Sequence, residues 1–105
     1  EELLRGYLEH HLYRFDDPEH LLACFHTLGR CGADPSVPFL ERTLMGRRSL
    51  SIAGLDRMTQ RTGAALSLLL LRTKAAKAVL QKAADSKTPG IRLAYKRAKE
   101  RHDGR

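Results

Sequence analysis

The fold class is decided by the sequence LLACFHTLGRCG at residues 21–32, which is followed by DPSVPFLE at residues 34–41. Apolar side chains recur there at steps of three and four residues, the spacing that puts them on one face of an α-helix: Leu21, Cys24, Phe25 and Leu28. Two glycines, Gly29 and Gly32, mark the end of this helix. Aspartate followed by proline then starts the next helix, because proline lacks only an N–H that would have no partner at that position.

The same apolar spacing extends over the chain of 105 residues and predicts a single domain, 1–105. We predict helices at about residues 2–15, 18–31, 35–45, 55–72, 74–85 and 89–102. No segment shows the sustained alternation of a β-strand. The prediction is therefore an all-α fold of about six helices in three antiparallel pairs, over about residues 2–31, 35–72 and 74–102. The predicted core comprises Leu22, Phe25, Leu28, Leu40, Leu44, Leu66, Leu69, Val79, Leu80, Ile91 and Ala94.

Charge is divided unevenly between the two halves of the chain. Residues 1–54 hold six Lys and Arg against eight Asp and Glu, a net charge of −2. Residues 55–105 hold thirteen against four, a net charge of +9, which makes the whole chain +7. A basic half of this kind often faces nucleic acid, acidic lipid or an acidic protein surface, and the alternative is a solvated helix face that is rich in lysine.

Internal repetition indicates a repeat architecture rather than an unrelated set of helices. Residues 61–80 occupy the same frame as residues 21–41, with Leu68 in the place of Leu28. This spacing of about 40 residues is typical of arrays built from helix pairs. A helix pair cannot bury its apolar face alone, so we expect neighbouring pairs to stack.

These stretches resemble the HEAT repeat in its bacterial form. There the second helix ends in an Ala-Leu-Gly-Arg-hydrophobic-Gly pattern, and the next helix begins after Asp-Pro. The resemblance covers residues 16–100 and implies a fragment of a right-handed solenoid. Arg61 and Arg92 match the family's arginine early in the second helix, but Leu21 stands in that place in the first repeat. The loop at 46–54 is also longer than the usual turn, which argues against regular stacking around the middle repeat.

The sequence predicts no catalytic, cofactor or metal site, and hence no enzyme. His20, Cys24 and Cys31 have spacings that bring ligands to one helix face, but zinc needs four convergent ligands and nothing else supplies a close pair. Free cysteines are more often small apolar packing residues. No nucleophile with an obvious base and no glycine-rich phosphate loop is present. No apolar run approaches the ~20 residues that span a bilayer.

Two groups of residues are candidates for binding. The first is a basic contact face that can follow phosphates, formed by Arg61, Lys74, Lys77, Arg92, Lys96 and Lys99. The second is a partner loop within residues 46–54, formed by Arg47, Arg48, Leu50 and Ile52. Its apolar residues either fold back onto the neighbouring helices or contact a partner. Tyr95 is the only aromatic residue in the basic half, so we do not expect base stacking to dominate.

The sequence thus favours a non-enzymatic scaffold of HEAT-like repeats that binds another protein or the remainder of its own chain. The alternative is non-specific binding to the backbone of a nucleic-acid duplex through the basic C-terminal half. We expect the chain to be the C-terminal part of a longer, cytoplasmic bacterial protein. The bacterial assignment follows from the resemblance alone.

Overall fold

A computed structural model describes residues 3, 5, 6, 18–32, 34–45 and 57–103. These residues form five α-helices, and none of them lies in a β-strand. The helices are α1 (Pro18–Cys31), α2 (Val37–Met45), α3 (Arg57–Leu71), α4 (Lys74–Ala84) and α5 (Pro89–Asp103), with a 3₁₀ turn at Asp34–Ser36 before α2. The prediction of an all-α fold is confirmed for this part of the chain.

Two predicted segments lie largely outside the described residues. Of the helix predicted at 2–15, the structure describes only residues 3, 5 and 6, which are helical. The loop predicted at 46–54, with the partner loop of Arg47, Arg48, Leu50 and Ile52, lies entirely outside. Those two predictions therefore remain predictions.

The helix ends follow the capping chemistry of the sequence. Thr73 caps α4, because its Oγ1 accepts a hydrogen bond from the backbone N–H of Ala76 at 3.2 Å. At the start of α5, the carbonyl of Thr88 accepts from the N–H groups of Ile91 and Arg92, at 3.1 and 3.3 Å, with Pro89 in the first helical position. Both predicted starts are confirmed.

Helix α3 is the centre of the packing. It contacts α1, α2, α4 and α5, and every residue from 61 to 68 is buried. The sequence predicted a single apolar stripe on this helix, but a helix with neighbours on several sides must be buried all round. Two of its buried hydroxyl groups donate to backbone carbonyls: that of Thr62 to Met58 in the same helix at 2.7 Å, and that of Ser67 to Phe25 in α1.

Helices α1 and α3 approach each other closely at two glycines. A β-carbon at Gly29 would stand 2.8 Å from both the Cα and the carbonyl oxygen of Ser67. A β-carbon at Gly63 would stand 2.8 Å from Cγ of Phe25. The absence of a side chain at Gly63 therefore lets α1 come near. Gly29 lies inside α1 and serves the same contact, so the glycine at the helix end is Gly32, whose N–H donates to the carbonyl of Leu28 at 2.7 Å.

The predicted core agrees with the structure at all but one position. Ten of the eleven predicted residues are buried, and Leu69 is half-buried against the core. The ring of Phe25 is fully buried and lies nearly parallel to that of Phe39, with the ring centroids 6.3 Å apart. Beyond the predicted set, Leu21 and Leu68 are fully buried.

The turn between α3 and α4 contains a strained residue. Arg72 has a φ of 60°, in the left-handed region that glycine adopts without steric cost. We expect Arg72→Gly to be more stable than Arg72→Ala by roughly 0.5–1 kcal/mol, because alanine retains the backbone strain whereas glycine removes it. Urea unfolding of the two variants measures the difference. Equal stabilities would show that the turn carries no strain.

Candidate basic interface

Two ion pairs show which flanks of the last two helices lie toward α2 and α1. On α4, Nζ of Lys82 lies 3.3 Å from Oε2 of Glu41 in α2. On α5, Nη2 of Arg101 lies 2.6 Å from Oε1 of Glu19 in α1. The Lys82 side of α4 is therefore turned toward α2, and the Arg101 side of α5 is turned toward α1.

Other cations lie on the opposite sides of the same two helices. At about 100° per residue, Lys77 is about 140° from Lys82 around α4. On α5, Arg92, Lys96 and Lys99 are about 180°, 140° and 160° from Arg101. All four are exposed, and we call the set of Lys77, Arg92, Lys96 and Lys99 the basic end.

The basic end spans two helices, α4 and α5, that are neighbours in the chain and in space. Residues 85–88 join the two helices, which pack against each other. Lys74 is exposed at the first turn of α4, only about 80° around the helix from Lys82, so it lies at the margin of the set. Five of the six residues of the predicted basic face are thus exposed on these two packed helices, and whether they act as a contact face stays a prediction.

Arg61 does not belong to this surface, contrary to the prediction. It is only 5% exposed, on the fully buried part of α3. A β-carbon at Gly90 would stand 2.8 Å from its Nη1, so the guanidinium lies against the first turn of α5. Residues 61–68 of α3 face neighbouring helices on all sides. A side chain at position 61 is therefore buried whether or not it is charged. Arg61 is therefore part of the packing between α3 and α5.

Arg92 has a structural contact as well as an exposed position. Its Nη1 donates to the carbonyl of Ser86 at 2.6 Å and so links α5 to the preceding turn. Since a guanidinium carries five N–H donors, this bond leaves other donors of Arg92 directed toward solvent. The hydrogen bond to Ser86 fixes the position of the Arg92 guanidinium at one edge of the basic end.

The neighbouring surface of α5 is mixed in character. Arg97 is exposed but lies nearer the Arg101 side, and Leu93 is 39% exposed between the two rows of cations. Glu100 is exposed one turn beyond Lys96. Asp103 lies 3.4 Å from Nδ1 of His102. The acidic side chains of Glu100 and Asp103 thus mark the boundary of the basic end near the C-terminus of α5.

The cysteine and histidine residues do not form a reactive cluster within the described ranges. Burial raises the pKa of the Cys24 thiol, which keeps it in the protonated, poorly nucleophilic form at neutral pH. Cys31 and His20 are exposed. Over residues 18–32, 34–45 and 57–103, no three His, Cys, Asp or Glu side chains are grouped as a metal ion would require.

None of the helices described here has the length and apolar character needed to cross a bilayer. The chain matches no model of a known protein family, no curated protein and no solved structure.

One feature of the site has no signal in the sequence. The pair of Arg101 with Glu19 joins residues 82 positions apart, and nothing in the local pattern of either helix marks it. The buried position of Arg61 likewise depends on distant parts of the chain, because α3 is covered by α1, α2, α4 and α5.

Proposed function

We propose that this chain is a non-enzymatic helical-repeat module of the HEAT type that binds another protein in the cytoplasm of a bacterium. The observation that carries the proposal is the central position of α3, which packs against α1 and α5 as well as against α2 and α4. In stacked helix pairs the inner faces are used for mutual burial, and the outer faces are left for partners.

The direction of the helices supports stacked repeats. Phe25 lies beside Gly63, and Gly29 lies beside Ser67, so residue numbers rise together along α1 and α3. Helices related in this way run in the same direction, as the second helices of successive repeats do. Each pair of contacting residues is separated by 38 positions, close to the repeat length of about 40 residues.

The ion pairs between helices also support a cohesive module. Lys82 with Glu41 joins the α4 and α2 helices, which are the first helices of two successive proposed pairs. Arg101 with Glu19 joins α5 of the third proposed pair to α1 of the first. In a regular stack only neighbouring pairs touch, so this ion pair supports the cohesion of the module and not its stacking. The principal extents of 30 × 29 × 26 Å describe a compact block.

The test is site-specific cross-linking followed by a binding measurement. In the first variant, a photoreactive residue replaces the exposed Leu93 of α5 in the full-length protein, expressed in its own cells. In the second variant, the same residue replaces the exposed Ala78 of α4, the matched position on another face. We expect one position to yield a discrete protein adduct, and the purified partner to bind the purified chain reversibly.

The affinity of the cross-linked partner for the purified chain should depend on the packing of the helices. A partner that binds through the helical surface should lose affinity when the packing of α1 on α3 is disturbed by Gly63→Ala. If no protein cross-linked at either position binds the purified chain, the proposed scaffold function is wrong.

A further inference from the structure

The basic end carries four exposed cations on two packed helices. We propose that the basic end binds the phosphate backbone of duplex nucleic acid without reading its sequence. This inference goes beyond the proposed protein-binding function, and it rests on a different surface property: the charge of one side of α4 and α5 rather than the stacking of the helices.

The spacing of the cations suits a phosphate backbone. Arg92, Lys96 and Lys99 follow one another along α5 at steps of four and three residues, or about 6 and 4.5 Å at the helical rise of 1.5 Å. The row therefore covers about 10 Å, a length of duplex axis that contains about three phosphates of each strand. Lys77 on the adjacent α4 adds a fourth cation beside this row.

The charges of the basic end are available to a ligand. Within the described part of the chain, Lys82 and Arg101 are engaged with carboxylates at 3.3 and 2.6 Å. No such ion pair joins an acidic side chain of the same ranges to Lys77, Arg92, Lys96 or Lys99. An exposed cation without a carboxylate partner attracts an external anion without the loss of an internal ion pair, and the bond of Arg92 to Ser86 uses only one of its five N–H donors.

The side chains beside the basic end favour backbone contact over the reading of bases. Direct reading of bases in the major groove uses bidentate Asn and Gln as well as Arg, and binding of single strands uses exposed aromatic rings. Gln81 on α4 donates to Oδ2 of Asp85 at 2.9 Å, and Tyr95 on α5 is half-buried against the core. Lys77, Lys96 and Lys99 can meet phosphates as point charges, which fix position without specifying sequence.

The experiment is a fluorescence-anisotropy titration of labelled DNA duplexes of two unrelated sequences with the full chain, over a series of salt concentrations. We expect equal affinity for both sequences. Four phosphate contacts give a slope of about −3.6 in the plot of log affinity against log salt, at −0.9 for each contact. A titration that stays flat even at low salt overturns the proposal.

A matched pair of variants tests the surface. Lys96→Glu and Arg30→Glu change the net charge equally, but Arg30 is exposed near the end of α1, away from the basic end. We expect Lys96→Glu to weaken binding of both duplexes alike and to reduce the magnitude of the salt slope by about 1, with Arg30→Glu close to the unsubstituted chain. Equal weakening by both variants would indicate general charge attraction and would overturn the assignment to this surface.

Binding of an acidic peptide is the competing outcome. A labelled polyglutamate peptide is titrated in the same way, and circular dichroism of each variant verifies that the helices are retained. If the peptide binds and the duplex does not, the basic end is a protein-binding surface and the nucleic-acid proposal is wrong. Since the cross-linking at Leu93 and Ala78 requires no nucleic acid, the two proposals can fail independently.

Discussion

Phe25→Ala is expected to lower the free energy of unfolding by about 3–5 kcal/mol, the usual cost of removing a large buried ring. The ring is 0% exposed, lies against Phe39 with centroids 6.3 Å apart, and fills the space left by Gly63. Truncation leaves a cavity between α1 and α3 that neither backbone can close without shifting the other helices. Chemical unfolding in urea, monitored by circular dichroism, measures the loss.

The matched control is Leu93→Ala, which removes a large apolar side chain from an exposed site. Leu93 is 39% exposed, so its truncation gives up little buried area and leaves no cavity. We expect it to cost less than about 1 kcal/mol. If Phe25→Ala costs no more than Leu93→Ala, the ring is not at the centre of the core and the described packing of α1 on α3 is wrong.

Gly63→Ala is expected to destabilise the protein by about 1–3 kcal/mol, although alanine is the better helix former by about 1 kcal/mol. The added methyl group would stand 2.8 Å from Cγ of Phe25, well inside the normal contact distance. Steric overlap in a close-packed core outweighs helix propensity, because neither α1 nor the ring has free space in which to move. The midpoint and slope of urea unfolding provide the measurement.

A glycine outside the core is the control for this substitution. At Gly6, which is also helical, an added β-carbon meets no atom within 4 Å among the described residues. Gly6→Ala should therefore leave stability unchanged or raise it by up to about 1 kcal/mol, as helix propensity predicts. Loss of stability at Gly6 similar to that at Gly63 would contradict the steric explanation.

The double variant Phe25→Ala with Gly63→Ala tests the contact itself. When the ring of Phe25 is present, the methyl group at position 63 collides with it. Once the ring is removed, the methyl group occupies part of the space that the ring has left. We expect the double variant to lose less stability than the sum of the single losses, with a coupling of at least 0.5 kcal/mol, about the lower limit for residues in contact. Additive losses would show that the two residues do not touch.

The sequence by itself determined the class of the fold and the places where several helices begin. Apolar steps of three and four residues predict helices because they depend only on the local geometry of the backbone. Thr73 and Thr88 likewise start α4 and α5 through bonds to residues three or four positions away. The core residues of α1, α2, α4 and α5 were predictable for the same reason, since each of these helices has one dominant apolar face.

Only the tertiary structure decided which sides of the helices remain exposed. Arg61 has the charge of a surface residue, but α3 is covered on several sides, so its guanidinium lies against Gly90 instead of joining the basic end. Arg101 and Lys96 both lie in one basic helix, yet one pairs with Glu19 and the other faces outward. The local pattern of a helix specifies which residues share a face, whereas the charge available on a surface depends on neighbours that lie far away in the chain.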